Sequence, residues 1–238
     1  LRRYRVRSLL MGGQACILYG AAEFSRAVAV AVSVDPRNLR RLDAALRALD
    51  AESVFFPPLT ARALRKGHAC HFRCHARGAD GVRLDVMAVM RGADSFARMW
   101  RRRTRLRATG VGSIDAVCVA DLVRIKKTQR DKDWPMVRRL VEADVERTGS
   151  RAPTPKVDFW LREARTTELL VELARRYPLR ARREARRRPA VRAAIRNNVR
   201  AVDAALRAEE RTERSADRRY WKPLRAELEN WRRERTRP

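Results

Sequence analysis

Acidic residues are scarce in this chain. Its 238 residues include 28 Asp and Glu against 56 Lys and Arg, which gives a formal net charge of +28 and a sequence isoelectric point near 11.6. A field this positive disfavours cationic partners and favours polyanions such as nucleic acids, nucleotides and anionic membrane surfaces. Only six of the basic residues are Lys, and part of so large an Arg excess is what codon bias would produce. Composition therefore narrows the class of partner without identifying a chemistry.

Cysteine and long apolar runs are scarce as well. Four cysteines are too few for a small fold held together by disulfides, so a reducing cytoplasm is the simpler expectation. No apolar run approaches the length of a membrane span, and we expect no membrane partner. The basic residues 1–7 and the apolar stretch after them resemble a signal peptide, but Gly12, Gly13 and Gln14 interrupt that stretch. The chain opens on Leu1 instead of Met, as a fragment of a longer protein would.

Hydrophobic residues nevertheless make up 45% of the chain, enough to form a core in one large domain or two small ones. The clearest local pattern is the strict alternation over residues 27–34, which predicts a strand with small side chains on one face and valines on the other. Before it, residues 4–11 predict a strand that ends at a glycine turn and a short helix. After it, Asp35 and Pro36 predict the cap and first turn of an amphipathic helix.

The rest of the chain divides at a predicted linker, residues 148–157. Before the linker, the pattern predicts a helix over 60–66 and a hairpin of strands 68–75 and 82–90. A basic connector at 101–107 and a strand at 114–119 follow. Two further helices are predicted, one capped by Asp121 and one that begins at Trp134. After the linker, residues 158–238 predict an Arg-rich helical region, with Asp158 capping its first helix and a long helix after Pro189. The fold class is therefore α+β, a mixed sheet with flanking helices over residues 1–147 followed by helices.

Three short motifs occur in an informative order: Gly12 with Gly13, then Ser25 with Arg26, then residues 83–86. In this order they resemble the nucleotidyltransferase superfamily that includes DNA polymerase beta. Within it the likeness is greatest to minimal nucleotidyltransferases, including the AbiEii-type toxins of bacterial toxin–antitoxin systems. The resemblance spans residues 4–146 and does not reach the C-terminal helices. It implies a nucleotidyltransferase-like sheet domain with a transfer centre on two strands.

In that family, a strand with acidic residues two positions apart binds divalent metal, helped by a third acid on a neighbouring strand. Side chains at i and i+2 of a strand lie on one face about 7 Å apart. Two carboxylates there can share a pair of Mg²⁺ ions that clamp the attacking and leaving oxygens. Here Ala27 and Ala29 stand where the two acids would be, and Asp85 matches the third acid.

Methyl groups cannot ligate Mg²⁺, and one carboxylate would bind magnesium weakly and could not bridge two ions. We therefore expect an impaired or inactive nucleotidyltransferase that keeps its fold. Two explanations fit: a deliberate exchange of two Asp residues for Ala27 and Ala29, which would disable a toxic enzyme, or natural decay into a pseudoenzyme that binds nucleotide or nucleic acid without catalysis.

The resemblance also implies an activity and its residues. The parent reaction is Mg²⁺-dependent transfer of a nucleoside monophosphate from an NTP to a hydroxyl or phosphate acceptor, with release of pyrophosphate. Asp85 is the implied catalytic residue, as the surviving metal ligand or base. Nucleotide-binding roles fall to Gly12, Gly13, Ser25, Arg26, Lys126, Lys132 and Asp133. The positive charge favours RNA, such as tRNA, as the acceptor, and a cognate antitoxin is a further implied partner.

Other interpretations stay open for several residues. Asp85 could form an ion pair with Arg26 or Arg83 instead, and the lysines could be a solvated helix end. The His and Cys residues between 68 and 75 could bind zinc, although alternation along a strand would place them on opposite faces, and His71 or His75 could contact a nucleotide. The Arg-rich segments 180–188 and 192–200 could contact RNA phosphates or form the charged exterior of a helical bundle.

Overall fold

The computed structural model describes residues 1–108, 110 and 112–236. The described part has the α+β fold that the sequence predicts, with a seven-stranded mixed sheet followed by helices. No helix among these residues combines the length and the apolar composition that crossing a bilayer requires. The chain forms two compact units, and their described residues are 1–18, 22–125 and 219–236 in the first and 19–21 and 126–218 in the second.

The first unit contains the whole sheet. A short 3-10 helix, Arg2–Tyr4, precedes the strands, which are β1 (Ser8–Met11), β2 (Ala27–Val32), β3 (Ala51–Phe55), β4 (Cys70–Cys74), β5 (Arg83–Met87), β6 (Thr104–Ala108) and β7 (Gly112–Ala116). The helices between them are α1 (Gly12–Leu18), α2 (Pro36–Ala48), α3 (Ala61–Lys66), α4 (Phe96–Arg101) and α5 (Val119–Lys126), of which Lys126 is assigned to the second unit.

Strand β2 lies at the centre of the sheet, whose order is β3-β4-β5-β2-β1-β7-β6. It pairs antiparallel with β1 and parallel with β5. Its valines, including Val30 and Val32, face the main hydrophobic core together with Leu42 and Leu46 of α2 and Val86 of β5. Burial of each such side chain contributes about 1.5–3 kcal/mol relative to exposure, so the valine face holds β2 in its register.

The prediction of α2 is confirmed in its details. Asp35 lies just before the helix, and its carboxylate accepts a hydrogen bond from the backbone N–H of Asn38 at 2.8 Å, which satisfies one of the free donors of the first turn. Helix α3 is also confirmed, with Thr60 as its cap and Gly67 after its last residue. Gly67 has φ +98, and a Cβ there would lie 2.8 Å from the Tyr220 hydroxyl, so any other residue would strain the backbone and displace that hydroxyl.

Other predictions for this unit are wrong. The first strand is shorter than expected, because Arg2–Tyr4 form a helical turn and Arg5 has φ 53. The expected basic connector contains β6, whose Arg105 and Arg107 are exposed and alternate with half-buried residues. Asp121 lies in the first turn of α5 instead of capping it, and its carboxylate accepts a hydrogen bond from Arg102 at 2.8 Å.

The second unit is helical. Its helices are α6 (Asp133–Thr148), α7 (Thr154–Glu163), α8 (Thr167–Arg176), α9 (Pro178–Glu184), α10 (Pro189–Ile195) and the part of α11 (Val199–Thr236) before residue 219. Residues 149–153, within the predicted linker, separate α6 from α7. The core includes Trp160, Leu140, Leu161, Leu170 and Leu173, none more than 1% exposed.

Two helix predictions for this unit are corrected. Asp158 does not cap a helix, because it lies inside α7, where it accepts a hydrogen bond from the Arg180 Nε at 2.7 Å. The long helix expected after Pro189 is interrupted, because Asn197 has φ 53 and ends α10 before α11 begins. A positive φ is incompatible with continuation of a right-handed helix.

The last part of α11 belongs to the first unit. There Glu227 Oε2 lies 2.8 Å from Nε2 of the fully buried His68, and Lys66 also donates to Glu227. The Trp231 ring packs on His68 with 4.9 Å between ring centroids. The end of the predicted C-terminal region thus belongs to the unit that contains the sheet.

Asn38 connects three segments of the first unit and gives a test of this fold. Its buried amide accepts a hydrogen bond from the Arg7 N–H at 2.7 Å and donates to the carbonyls of Ser33, at 2.8 Å, and Arg7, at 3.2 Å. Because Asn38→Leu removes the partner of the part-buried Arg7 N–H and Ser33 carbonyl, we expect the free energy of unfolding to fall by about 2 kcal/mol. Chemical denaturation measures the loss. The exposed neighbour Arg37, changed to Leu, should cost less than about 0.5 kcal/mol, and equal losses would contradict this role.

Candidate functional site

The pairing of β2 with β5 positions the candidate site. In their parallel register, Ala29 lies opposite Asp85 and Ala27 lies opposite Arg83. Residues directly opposite each other in a sheet point to the same face, so both alanines and Asp85 share the face away from the valines. Ala27 and Ala29 are partly exposed, whereas Ala31 on the same face is fully buried. The three positions named from the sequence therefore lie on one partly open face.

The glycine turn after β1 packs against the start of β2. Gly12 has φ +70, and a Cβ there would lie 2.9 Å from the Ala29 Cβ. A Cβ on Gly13 would lie 2.4 Å from the Ser25 Oγ. Larger residues at either position would force a shift of the turn or of β2. Four of the predicted nucleotide-binding and metal-site positions are thus in close contact.

Asp85 is held by two neighbours. His71 lies opposite it on β4, with its Nδ1 2.6 Å from the Asp85 Oδ1. The Arg83 Nε donates to the same oxygen at 3.3 Å. Of the two ion pairs that the sequence left open for Asp85, the structure contains the one with Arg83.

The Asp85 carboxyl is ionised at neutral pH. Burial disfavours its charged form, but the hydrogen bond and charge of His71, together with Arg83, outweigh burial and hold the pKa below its ordinary value of 3.8. The face therefore carries one fixed negative charge between a histidine and an arginine.

A cleft of about 480 Å³ opens beside Ala27. Phe24, on its wall, is 70% exposed. Arg26, also on the wall, is exposed and forms no ion pair with any residue that the structure describes. Gln14 donates to the Ser25 carbonyl at 3.4 Å, and the Ser25 hydroxyl donates to the Ala27 carbonyl at 3.0 Å. An unpaired guanidinium and an accessible aromatic ring therefore border the same opening.

The side chains present do not fit a divalent metal centre. Asp85 is the single carboxylate of the β2–β5 pair, and it is already bonded to His71 and Arg83. Among the described residues there is no group of three or more His, Cys, Asp or Glu that could hold a metal ion. Strand β4 also separates the residues considered for zinc, because Cys70 and Cys74 are buried in the core and His71 faces Asp85. The β2–β5 face therefore offers magnesium one carboxylate.

Lys126 and Asp133 belong to the second unit and bind each other. The Lys126 Nζ donates to Asp133 Oδ1 at 2.8 Å, and both side chains are buried. Thr128 and Arg130 donate to the other carboxylate oxygen at 2.5 and 2.8 Å. Lys132, next to Asp133, is exposed. The pair stabilises the start of α6, and the role of these residues toward phosphate stays a prediction.

The Arg-rich segment 180–188 is partly structural. Arg180 binds Asp158. Arg188 is 6% exposed, donates to the carbonyls of Leu161 and Ala164 at 2.7 Å each, and binds Glu209. It thereby satisfies carbonyl groups at the end of α7. The arginines of this segment that remain exposed are Arg182, Arg183, Arg186 and Arg187.

Two residues of the site were missed in reading the sequence. His71 was considered only for zinc or nucleotide contact, although its place opposite Asp85 follows from the register of the β4–β5 hairpin. Phe24, just before the predicted strand, lies on the wall of the cleft. Compared with protein-family models and with curated proteins, the chain has no match. Its own geometry is therefore the ground for assigning a function.

From the lowered pKa of Asp85 we expect the stability of the fold to depend on pH. Because its pKa is lowered on folding, ionised Asp85 stabilises the fold above its ordinary pKa, and this contribution is lost as the pH falls through the lower value of the folded state. We expect the stability difference between the unaltered chain and Asp85→Asn to shrink below about pH 4. Urea unfolding from about pH 7 to about pH 3 measures it. A difference that stays constant over this range would contradict the pairing.

Replacing Lys126 tests its structural role against its predicted role in phosphate binding. Lys126→Met leaves the buried Asp133 with fewer compensating charges, so we expect the free energy of unfolding to fall by about 3 kcal/mol. Lys132→Met, at the exposed neighbouring lysine, is the control and should change it by less than about 0.5 kcal/mol. Denaturation and NTP titration of both variants separate the two roles. If both lysines serve phosphate, both variants lose NTP binding and keep their stability.

Proposed function

We propose that the chain is a nucleotidyltransferase-like protein whose β2–β5 face and adjoining cleft receive a nucleotide, but which lacks the acids for metal-dependent transfer. The observation that carries this proposal is the register that places Ala29 beside Asp85 on parallel strands. Gly12 packs against Ala29 and Gly13 against Ser25, so the motifs that suggest the family lie together on one face.

The charges of the cleft support a phosphate-bearing ligand, because its lining contains Arg26 and Arg83 against one acid, Asp80. Arg26 is exposed on the wall and has no ion-pair partner in the described chain. A guanidinium forms charge-assisted, two-pronged hydrogen bonds to phosphate oxygens. The accessible Phe24 ring offers a face on which a base can stack, and such contacts contribute about 1–3 kcal/mol in proteins that bind nucleic acid. These two groups account for binding without requiring a metal.

Catalysis requires acidic side chains that binding of the nucleotide does not require. In the parent reaction, acids two apart on one strand and a third acid on the next strand act together. This chain keeps the third, Asp85, in its ionised form between His71 and Arg83. With methyl groups at residues 27 and 29, it has no side chains to hold two divalent cations. The expected behaviour is therefore binding of nucleotide with little or no transfer.

The acceptor in the parent reaction is proposed to be RNA, such as tRNA. The net charge of +28 favours a polyanionic acceptor over a small neutral one. A cognate antitoxin is proposed only on the likeness to toxin–antitoxin enzymes. The competing function is a pseudoenzyme that binds nucleotide or nucleic acid. It predicts the same binding, but it predicts that restoring the two acids does not restore transfer.

Restoring both acids tests the proposal. We expect Ala27→Asp with Ala29→Asp to strengthen NTP binding by at least about tenfold when Mg²⁺ is added, because the two carboxylates then lie on one face beside Asp85 and can share the ions. The same variant should transfer label from α-labelled NTP to RNA. Calorimetric titration measures the binding, and label retained on acid-precipitated RNA measures the transfer.

The matched control is Ala27→Asn with Ala29→Asn, which adds side chains of the same size without charge. It should show neither magnesium-dependent binding nor transfer. Asp85→Asn added to the restored pair should abolish transfer, because the third acid is then neutral. If the restored pair folds like the unaltered chain and still gives neither magnesium-dependent binding nor transfer, the proposed function is wrong.

A further inference from the structure

We propose that the second unit binds an acidic amphipathic helix of a partner protein in a groove formed by α8, α9 and α10. The groove has a volume of about 390 Å³. Apolar side chains make up most of its lining, namely Val171, Ala174, Pro178, Ala194 and Ile195. It is separate from the cleft beside Ala27 and is not used by the proposed nucleotide site.

One exposed large apolar side chain lies in the lining of this groove. Ile195 lines it and is 42% exposed. Leu179 and Val199, which lie near lining residues in the sequence, are 75% and 55% exposed. These three are the exposed large hydrophobic residues of the second unit in the part of the chain that the structure describes. An apolar groove with an exposed apolar side chain in its lining is typical of a protein-binding site.

The lining of the groove also contains basic side chains. Arg175 and Arg182 line the groove, are exposed, and form no ion pair with any described residue. The groove therefore combines an apolar floor with two guanidinium groups that have no carboxylate partner among the described residues.

An acidic amphipathic helix complements both features. Apolar residues at positions i, i+3 or i+4, and i+7 lie along one stripe of a helix and fill a groove between helices. Carboxylates on either side of that stripe would meet Arg175 and Arg182 in charge-assisted hydrogen bonds. The partner is thus defined by two properties together, an apolar stripe and flanking acids.

Charge disfavours a second copy of this chain as the natural occupant, because two molecules of net charge +28 repel each other. RNA is the stronger competitor, since the exposed arginines can bind phosphates. RNA would, however, leave the exposed Ile195 of the lining without apolar contacts. The apolar floor therefore favours a protein segment over nucleic acid.

A peptide-display selection against the full chain tests the proposal. The library contains random peptides of about 18 residues, long enough for five helical turns, with Leu, Ala, Glu, Asp, Lys and Ser as building blocks. We expect enriched peptides to be acidic, with apolar residues spaced three and four apart. Fluorescence anisotropy of the enriched peptides, at low and at physiological salt, then gives their affinities for the chain and its variants.

Two variants and one matched control identify the groove. Ile195→Glu places a charge on the floor and should weaken peptide binding at least about 30-fold. Arg175→Glu with Arg182→Glu should weaken it at least about tenfold. Arg183→Glu with Arg187→Glu makes the same change in net charge at exposed residues outside the lining, and it should change affinity less than about threefold. Thermal unfolding checks that all variants fold.

The outcomes decide between the occupants. Acidic peptides that lose affinity in both groove variants and keep it in the control support the proposal. A selection that enriches no acidic amphipathic peptide, or only peptides insensitive to Ile195→Glu, overturns it. A single-stranded RNA of similar charge that binds more tightly than every selected peptide, and that depends on Arg175 and Arg182 but not on Ile195, also overturns it and assigns the surface to nucleic acid.

Discussion

The parallel register of β2 and β5 is the constraint on which the candidate site depends. The site face is set by the opposite face, where Val30, Val32 and Val86 pack into the core. A slip of one residue in β2 would expose the valines and bury the alanines, at a cost of several side-chain burials. Core packing on one side of the sheet therefore places Ala29 beside Asp85 on the other side, whether or not a ligand is present.

Local patterns predicted most of the elements near the site, and long-range contacts account for much of what was missed. Residues 27–32 and α2 could be read from alternation and from a cap with its proline. Strand β6 could not, because Arg105 and Arg107 made an edge strand look like a connector. The contact of Glu227 with His68 has no local signal, because the two residues are 159 positions apart in the chain.

In the candidate site too, some features follow from local sequence patterns and others depend on long-range contacts. The common face of Ala27 and Ala29 followed from a period of two, which needs no tertiary information. The partnership of His71 with Asp85 required the register of a hairpin, and that register depends on where the turn begins and ends. Lys126 and Asp133 are named from the sequence as nucleotide-binding residues, and the structure adds that they are buried and bound to each other. Sequence spacing cannot tell a buried ion pair from two ligand-binding groups.

The arginine excess has a related consequence. With 28 acidic residues for 56 basic ones, at least half of the cations can have no acid of their own, so an unpaired arginine is the ordinary case in this chain. Charge alone therefore distinguishes no surface. What distinguishes the cleft and the groove is that an exposed apolar side chain shares the lining with arginine that has no ion-pair partner among the described residues. Phe24 and Arg26 line the cleft, and Ile195, Arg175 and Arg182 line the groove. Water solvates a guanidinium well but solvates these apolar side chains poorly. A ligand with both anionic and apolar parts therefore gains binding free energy from the arginine and from the apolar side chains.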